Sequence, residues 1–136
     1  MSAAQRNAWF NLVVVLVSVA LVVGLSVLMG WPKATGGFAI LGLLGFGPLF
    51  YWRRGAHVVV DERDASIQRR SIVIGYGVFW LAFVAACVSL PMIYGETGSV
   101  PVWKAMSAVW WGVAIVYGVA AAASLIQYGW EGSDAS

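Results

Sequence analysis

Long intervals without a single charged side chain constrain this chain more than any other feature. None occurs between Arg6 and Lys33, between Lys33 and Arg53, between Arg70 and Glu96, or between Lys104 and Glu131. A bilayer core of about 30 Å needs roughly 20 apolar helical residues, because each residue advances about 1.5 Å along a helix. Each interval is long enough to supply one span. Composition agrees: 61% of the 136 residues are hydrophobic, 10% are charged and the mean hydropathy is +0.83, outside the range of ordinary soluble domains. The expected fold is all-α, a single polytopic membrane domain over residues 1–136. Its four transmembrane helices would form a bundle, with spans at about 9–29, 36–52, 71–94 and 102–128.

The first span runs from Trp9 to Met29 and closes at Trp31-Pro32. It exceeds the roughly 7–15 apolar residues of a cleaved signal peptide, so a retained helix is expected. The second is the shortest and richest in glycine, with Gly36, Gly37, Gly42, Gly45 and Gly47 ahead of Pro48. Gly42 and Gly45 are read as packing positions that admit a neighbouring backbone, and Pro48 as the site of a bend. In the fourth span, Ala114, Gly118 and Ala122 recur every four residues, the small-xxx-small pattern of close helix contact. Pro101 is expected in its first turn, where a missing N–H is harmless.

Residues 53–70 gather five of the eight basic residues, three of the six acids and the one histidine. Asp61 is a plausible N-cap, with Asp64 three residues on, and acids in a first turn suit the positive end of the helix dipole. Helix three is therefore expected to begin outside the membrane, carrying Glu62, Arg63, Ser66, Arg69 and Arg70 before it enters near Ser71. Ile67 and Ile74, seven apart, would share a face turned to the bundle.

Threading follows from charge. Arg6, Arg53, Arg54, Arg63, Arg69 and Arg70 fall on one side against Lys33 and Lys104 on the other, six to two. The positive-inside rule then places both termini and the central loop in the cytosol. Interfacial aromatics agree: Trp9, Tyr51, Trp52, Tyr128 and Trp130 inside, Trp31, Tyr94 and Trp103 outside.

Catalytic chemistry finds little to stand on. The intramembrane polar residues Ser18, Ser26, Cys87, Ser89, Ser107, Ser124 and Gln127 are all uncharged, with Asn11 near an interface. Proton-coupled pumps and transporters place Asp, Glu or His at that depth. Cys87 is read as a buried packing thiol. His57 with Asp61, Glu62 and Asp64 has the look of a metal set, but the acids suit capping and ion pairing better, and no second histidine or thiolate supports a site. No metal, cofactor or enzymatic activity is expected. No basic patch interleaved with aromatics favours nucleic acid.

The segment Asp61-Glu62-Arg63-Asp64-x-x-Ile67, entering an apolar helix through Arg69-Arg70-Ser71, resembles small uncharacterised bacterial four-span membrane proteins that carry D-E-R-[DE]-x-x-I between spans two and three. The resemblance implies a bacterial inner (plasma) membrane location with the motif in the cytosol, and it implies no catalytic residue.

The expected function is that of a non-enzymatic structural, regulatory or accessory membrane module, which self-associates as a homo-oligomer or joins a larger membrane complex. Asp61, Glu62, Arg63, Asp64, Ile67 and Arg70 would form its cytosolic docking surface. Arg53, Arg54, Arg69 and Arg70 would meet anionic lipid headgroups, at roughly 1 kcal/mol per basic residue. The alternative is an oligomeric channel or small-solute transporter, suggested by the glycine-rich second span with Pro48 and by Pro91.

Overall fold

A computed structural model of the chain describes residues 2–47, 62–95 and 97–133, with side chains described up to Gly129. These residues are helical throughout their ordered elements, and no strand occurs among them. Helix α1 (Ala3–Met29) leads into a four-residue helix, α2 (Trp31–Ala34), and a 3-10 helix, η1 (Thr35–Phe46). Two long helices follow, α3 (Glu62–Tyr94) and α4 (Val102–Ser133). Three of these elements, α1, α3 and α4, are long and apolar enough to cross a membrane.

Local chemistry sets the ends of α1. The Ser2 hydroxyl accepts from the Gln5 N–H at 3.1 Å, a side-chain N-cap that starts the helix well before Trp9. At the other end Gly30 adopts φ +81°, a conformation open to glycine, and its N–H closes on the Ser26 carbonyl. Pro32 follows in the first turn of α2, where no N–H is needed.

The second apolar stretch, expected as an α-helical span over 36–52, departs from expectation in its described part, which is a 12-residue 3-10 helix. Such runs seldom exceed three or four residues. The period of three explains its length here. Phe38, Leu41 and Leu44 stack on one face and are 1%, 3% and 8% exposed, while Gly36, Ala39, Gly42 and Gly45 align on an outer face. An α-helix would scatter both rows. The tighter winding also advances about 2.0 Å per residue instead of 1.5 Å. Gly37 lies against Val22 and Gly47 against Asn7, so η1 runs antiparallel to α1. About ten residues of it match fifteen of α1, which a rise of 2.0 Å permits and one of 1.5 Å does not. Pro48 and the bend expected there lie outside the described residues.

Helix α4 is the centre of the molecule, packed on α1 along one side and on α3 along another, while η1 packs chiefly on α1 and also touches α4. The core joins Val14, Val15 and Val22 of α1, Phe38, Leu41 and Leu44 of η1, and Ala114 of α4. Phe38 meets Trp111 edge-to-face, with ring centroids 5.3 Å apart. Inside the core the Ser18 hydroxyl donates to the Gly37 carbonyl at 3.2 Å. Helix α4 begins at Val102, so Pro101 stands just before the first turn rather than in it. Its carbonyl accepts from Lys104 and Ala105, the work of an N-cap residue.

Helix α3 leans on α4 along Ile67, Ser71 and Gly75, the buried residues of that helix. The contact line follows every fourth residue, so Ile67 is 2% exposed whereas Ile74 is 46% exposed and turned outward. Beyond Gly75 the outer halves of the two helices are separated by a groove. Cys87, expected as a buried thiol, is exposed. Trp80 is exposed as well, with its ring edge against Phe83.

Candidate functional site

The start of α1, the end of η1, the start of α3 and the end of α4 lie at one end of the molecule, with Asn7 against Gly47 and Tyr128 against Asp64. Two hydrogen bonds fasten α3 to α4 there. The Tyr128 hydroxyl donates to the Asp64 carboxylate at 2.6 Å, and Gln127 Nε2 donates to the Ser71 hydroxyl at 2.9 Å. Ile67 is buried between them. At the opposite end Lys104 Nζ donates to the Tyr94 hydroxyl at 2.7 Å and stands over the rings of Tyr94 and Trp103.

This arrangement divides the sequence-derived docking motif. Glu62, Arg63, Ser66, Arg69 and Arg70 are exposed on the first turns of α3. Asp64 and Ile67 turn inward, the one half-buried and the other buried, so they join α3 to α4 rather than facing outward. Asp61, His57, Arg53 and Arg54 lie outside the described residues. With two of its four groups there, the His57, Asp61, Glu62 and Asp64 constellation has no geometry to report.

The small residues also divide. Ala114 is 4% exposed, and a Cβ at Gly118 would lie 3.2 Å from Val15 Cγ1, so these positions face α1 of the same chain. Ala122 is half-buried. Gly42 and Gly45, by contrast, have nothing within 4 Å of where a Cβ would stand. They meet no neighbour among the described residues, because the period of three carries them to the outer row. Close approaches between different helices occur instead at glycines that spacing did not single out for that role. A Cβ at Gly75 would sit 2.7 Å from the Val116 carbonyl oxygen, one at Gly37 2.9 Å from Val22 Cγ2, and one at Gly112 2.9 Å from the Phe79 ring.

Between α1, α3 and α4, near the end where the hydrogen bonds cluster, lies a polar cleft of about 250 Å³. Asn7 and Asn11, one turn apart on α1, form one wall; Ser71 and Tyr76 of α3 and Tyr117 and Ser124 of α4 form the others. The side-chain oxygens of Asn7 and Asn11 are buried without a hydrogen-bond partner. Tyr76, Val116 and Tyr117 also line the larger groove of about 740 Å³ between the outer halves of α3 and α4, so the two spaces adjoin. Sequence reasoning did not single out Tyr76 or Tyr117. The signal available was their place in a span away from either interfacial belt.

No curated protein and no solved structure matches the chain. One family does, under the description Predicted membrane protein (DUF2178), and its match extends over residues 6–128. That range takes in nearly all of α1, the whole of α2, η1 and α3, and α4 as far as Tyr128, and the chain belongs to this family of multi-pass membrane proteins.

Proposed function

We propose that this protein is a non-enzymatic bacterial inner-membrane module that crosses the bilayer four times and assembles with copies of itself through η1. The observation that carries the reading is the outer row of η1, where Gly36, Ala39, Gly42 and Gly45 lie one above another and no atom of the described residues comes within 4 Å of a Cβ at the three glycines. Lipid tails are as apolar as leucine, so helices associate in a bilayer by close packing, and small residues allow it. A glycine row turned to lipid leaves backbone thinly covered over most of η1. A second η1 would cover it. The 3-10 winding meets the membrane's demand for internal hydrogen bonding while η1 runs antiparallel to α1, which supports counting it as the second crossing.

In this reading both termini and the central loop are cytosolic, and Glu62, Arg63, Arg69 and Arg70 offer an exposed charged surface to a partner or to anionic lipid heads. Native mass spectrometry of the gently solubilised protein is expected to give a homo-oligomer. Gly42→Leu with Gly45→Leu is expected to shift it to monomer while thermal stability holds, since both positions open onto free space. An unchanged copy number would discard η1 as the interface.

Orientation has its own test. In a Cys87→Ala background, an impermeant thiol reagent on intact cells is expected to label Thr97→Cys and to reach Ser66→Cys only after lysis. Labelling of Ser66→Cys alone would reverse the threading.

A further inference from the structure

The polar cleft and the groove adjoining it hold hydrogen-bonding groups that the fold leaves unused. Tyr76 and Tyr117 are 53% and 43% exposed and neither hydroxyl has a partner among the described residues. Tyr117 lies eleven residues before Tyr128, about 16 Å along the helix and close to the middle of a core of about 30 Å. Water is scarce at that depth, and an unpaired phenol, hydroxyl or carboxamide in hydrocarbon is strongly disfavoured. The Ser124 hydroxyl and the Asn11 carboxamide share the cleft and are likewise without a partner among the described residues. Turning the carboxamide about its last torsion presents either its oxygen or its nitrogen to the cleft.

We propose that this continuous space is a binding site for an uncharged lipid, whose compact oxygen-bearing head sits in the cleft and whose hydrocarbon chain lies in the groove. Three features fix that class. No charged side chain lines the cleft, and a charged head without a counter-charge would be heavily penalised there. Phenolic and serine hydroxyls donate and a carboxamide both donates and accepts, a set matched by the carbonyl or hydroxyl oxygens of a neutral head. Past Tyr76 and Tyr117 the lining turns apolar, with Phe79, Phe83, Val109 and Val113, as far as the hydrogen-bonded Tyr94 and Lys104 at its outer end, and its volume of about 740 Å³ suits a chain. Acylglycerols and isoprenoid quinones share this chemistry.

The test uses the full-length protein in nanodiscs of phosphatidylcholine doped with dioleoylglycerol, with a long-chain isoprenoid quinone, or with phosphatidylglycerol. Native mass spectrometry and thermal stability are the readouts. At least one uncharged probe is expected to be retained at one per chain and to raise the melting temperature, and the probe retained identifies the head. Tyr117→Phe, which removes one hydroxyl and leaves the ring, is expected to weaken retention about five- to tenfold. Ala108→Phe, at an exposed groove position, is expected to abolish it by filling the chain's path. Retention of neither uncharged probe, preference for phosphatidylglycerol, or equal binding to wild type and both variants would overturn the proposal. Correct folding of Tyr117→Phe is checked by its unliganded melting temperature, expected to match wild type.

Discussion

Gly75→Ala is expected to lower the unfolding midpoint of the solubilised protein, with a loss of about 1–3 kcal/mol for an overpacked interface. The added Cβ would stand 2.7 Å from the Val116 carbonyl oxygen and 3.1 Å from the Ala120 Cβ. The oxygen belongs to the α4 backbone and cannot rotate away, so the two helices must separate. Separation reaches further than one contact. Ser71 and Ile67 lie one and two turns earlier on the same stripe, and the Gln127 to Ser71 hydrogen bond of 2.9 Å stretches with them. In a membrane this packing matters more than burial, because leaving the interface for lipid exposes nothing to water. Gly77→Ala is the control with the opposite sign. Nothing lies within 4 Å of its Cβ position, so the substitution gains up to about 1 kcal/mol of helix propensity with no clash. Thermal unfolding of the two variants side by side decides the matter: equal midpoints would mean that α3 does not lie on α4 in this register.

Gly37→Ala is expected to act with similar size on the other side of the molecule, again about 1–3 kcal/mol. Its Cβ would lie 2.9 Å from Val22 Cγ2, 3.1 Å from the Val22 nitrogen and 3.4 Å from the Leu21 carbonyl carbon. Two of those three atoms are backbone. Relief then requires η1 to move off α1, which breaks the hydrogen bond from Ser18 to the Gly37 carbonyl and loosens Phe38 from the core. Val22→Ala removes the nearest of the three atoms, so the double variant is expected to regain part of the loss, an interaction energy readable from a double-mutant cycle. Gly24→Ala, with open space at its Cβ and no place in the outer row of η1, is expected to cause no loss. A silent Gly37→Ala would place η1 elsewhere.

The two glycine predictions also mark where sequence reasoning stopped. Spacing named Ala114, Gly118 and Ala122 as contact positions because they recur at the period of an α-helix; Ala114 is buried, a Cβ at Gly118 would meet Val15 of α1, and Ala122 is half-buried. The same α-helical assumption misread the second stretch. Gly42 and Gly45 stand three apart, a separation that brings them together on a 3-10 helix and turns both away from the chain, while Gly37 makes the contact. Asp64 was grouped with its charged neighbours because it is adjacent to them in sequence, while Ile67, counted in the same docking set, was also expected on a face turned to the bundle, where it lies. The helix rotates both by its own period onto α4, where Tyr128 and the buried seam hold them. The cleft was invisible for another reason: Asn11, Tyr76, Tyr117 and Ser124 come from three helices, and nothing along the chain announces that they meet.

The sequence alone determined that this is a helical membrane protein, because uncharged apolar runs of span length have no other stable home. It also determined where α1 stops at Gly30 and α3 at Gly95, each a glycine with positive φ that acts within its own turn. Which faces meet was decided only in three dimensions. Hydropathy cannot mark an inner face in a chain that is apolar all round, since lipid and core demand the same side chains. The choice falls to shape instead: a missing Cβ at Gly75 or Gly37, a period of three rather than 3.6 in η1, and a few hydrogen bonds between polar groups that lipid will not solvate.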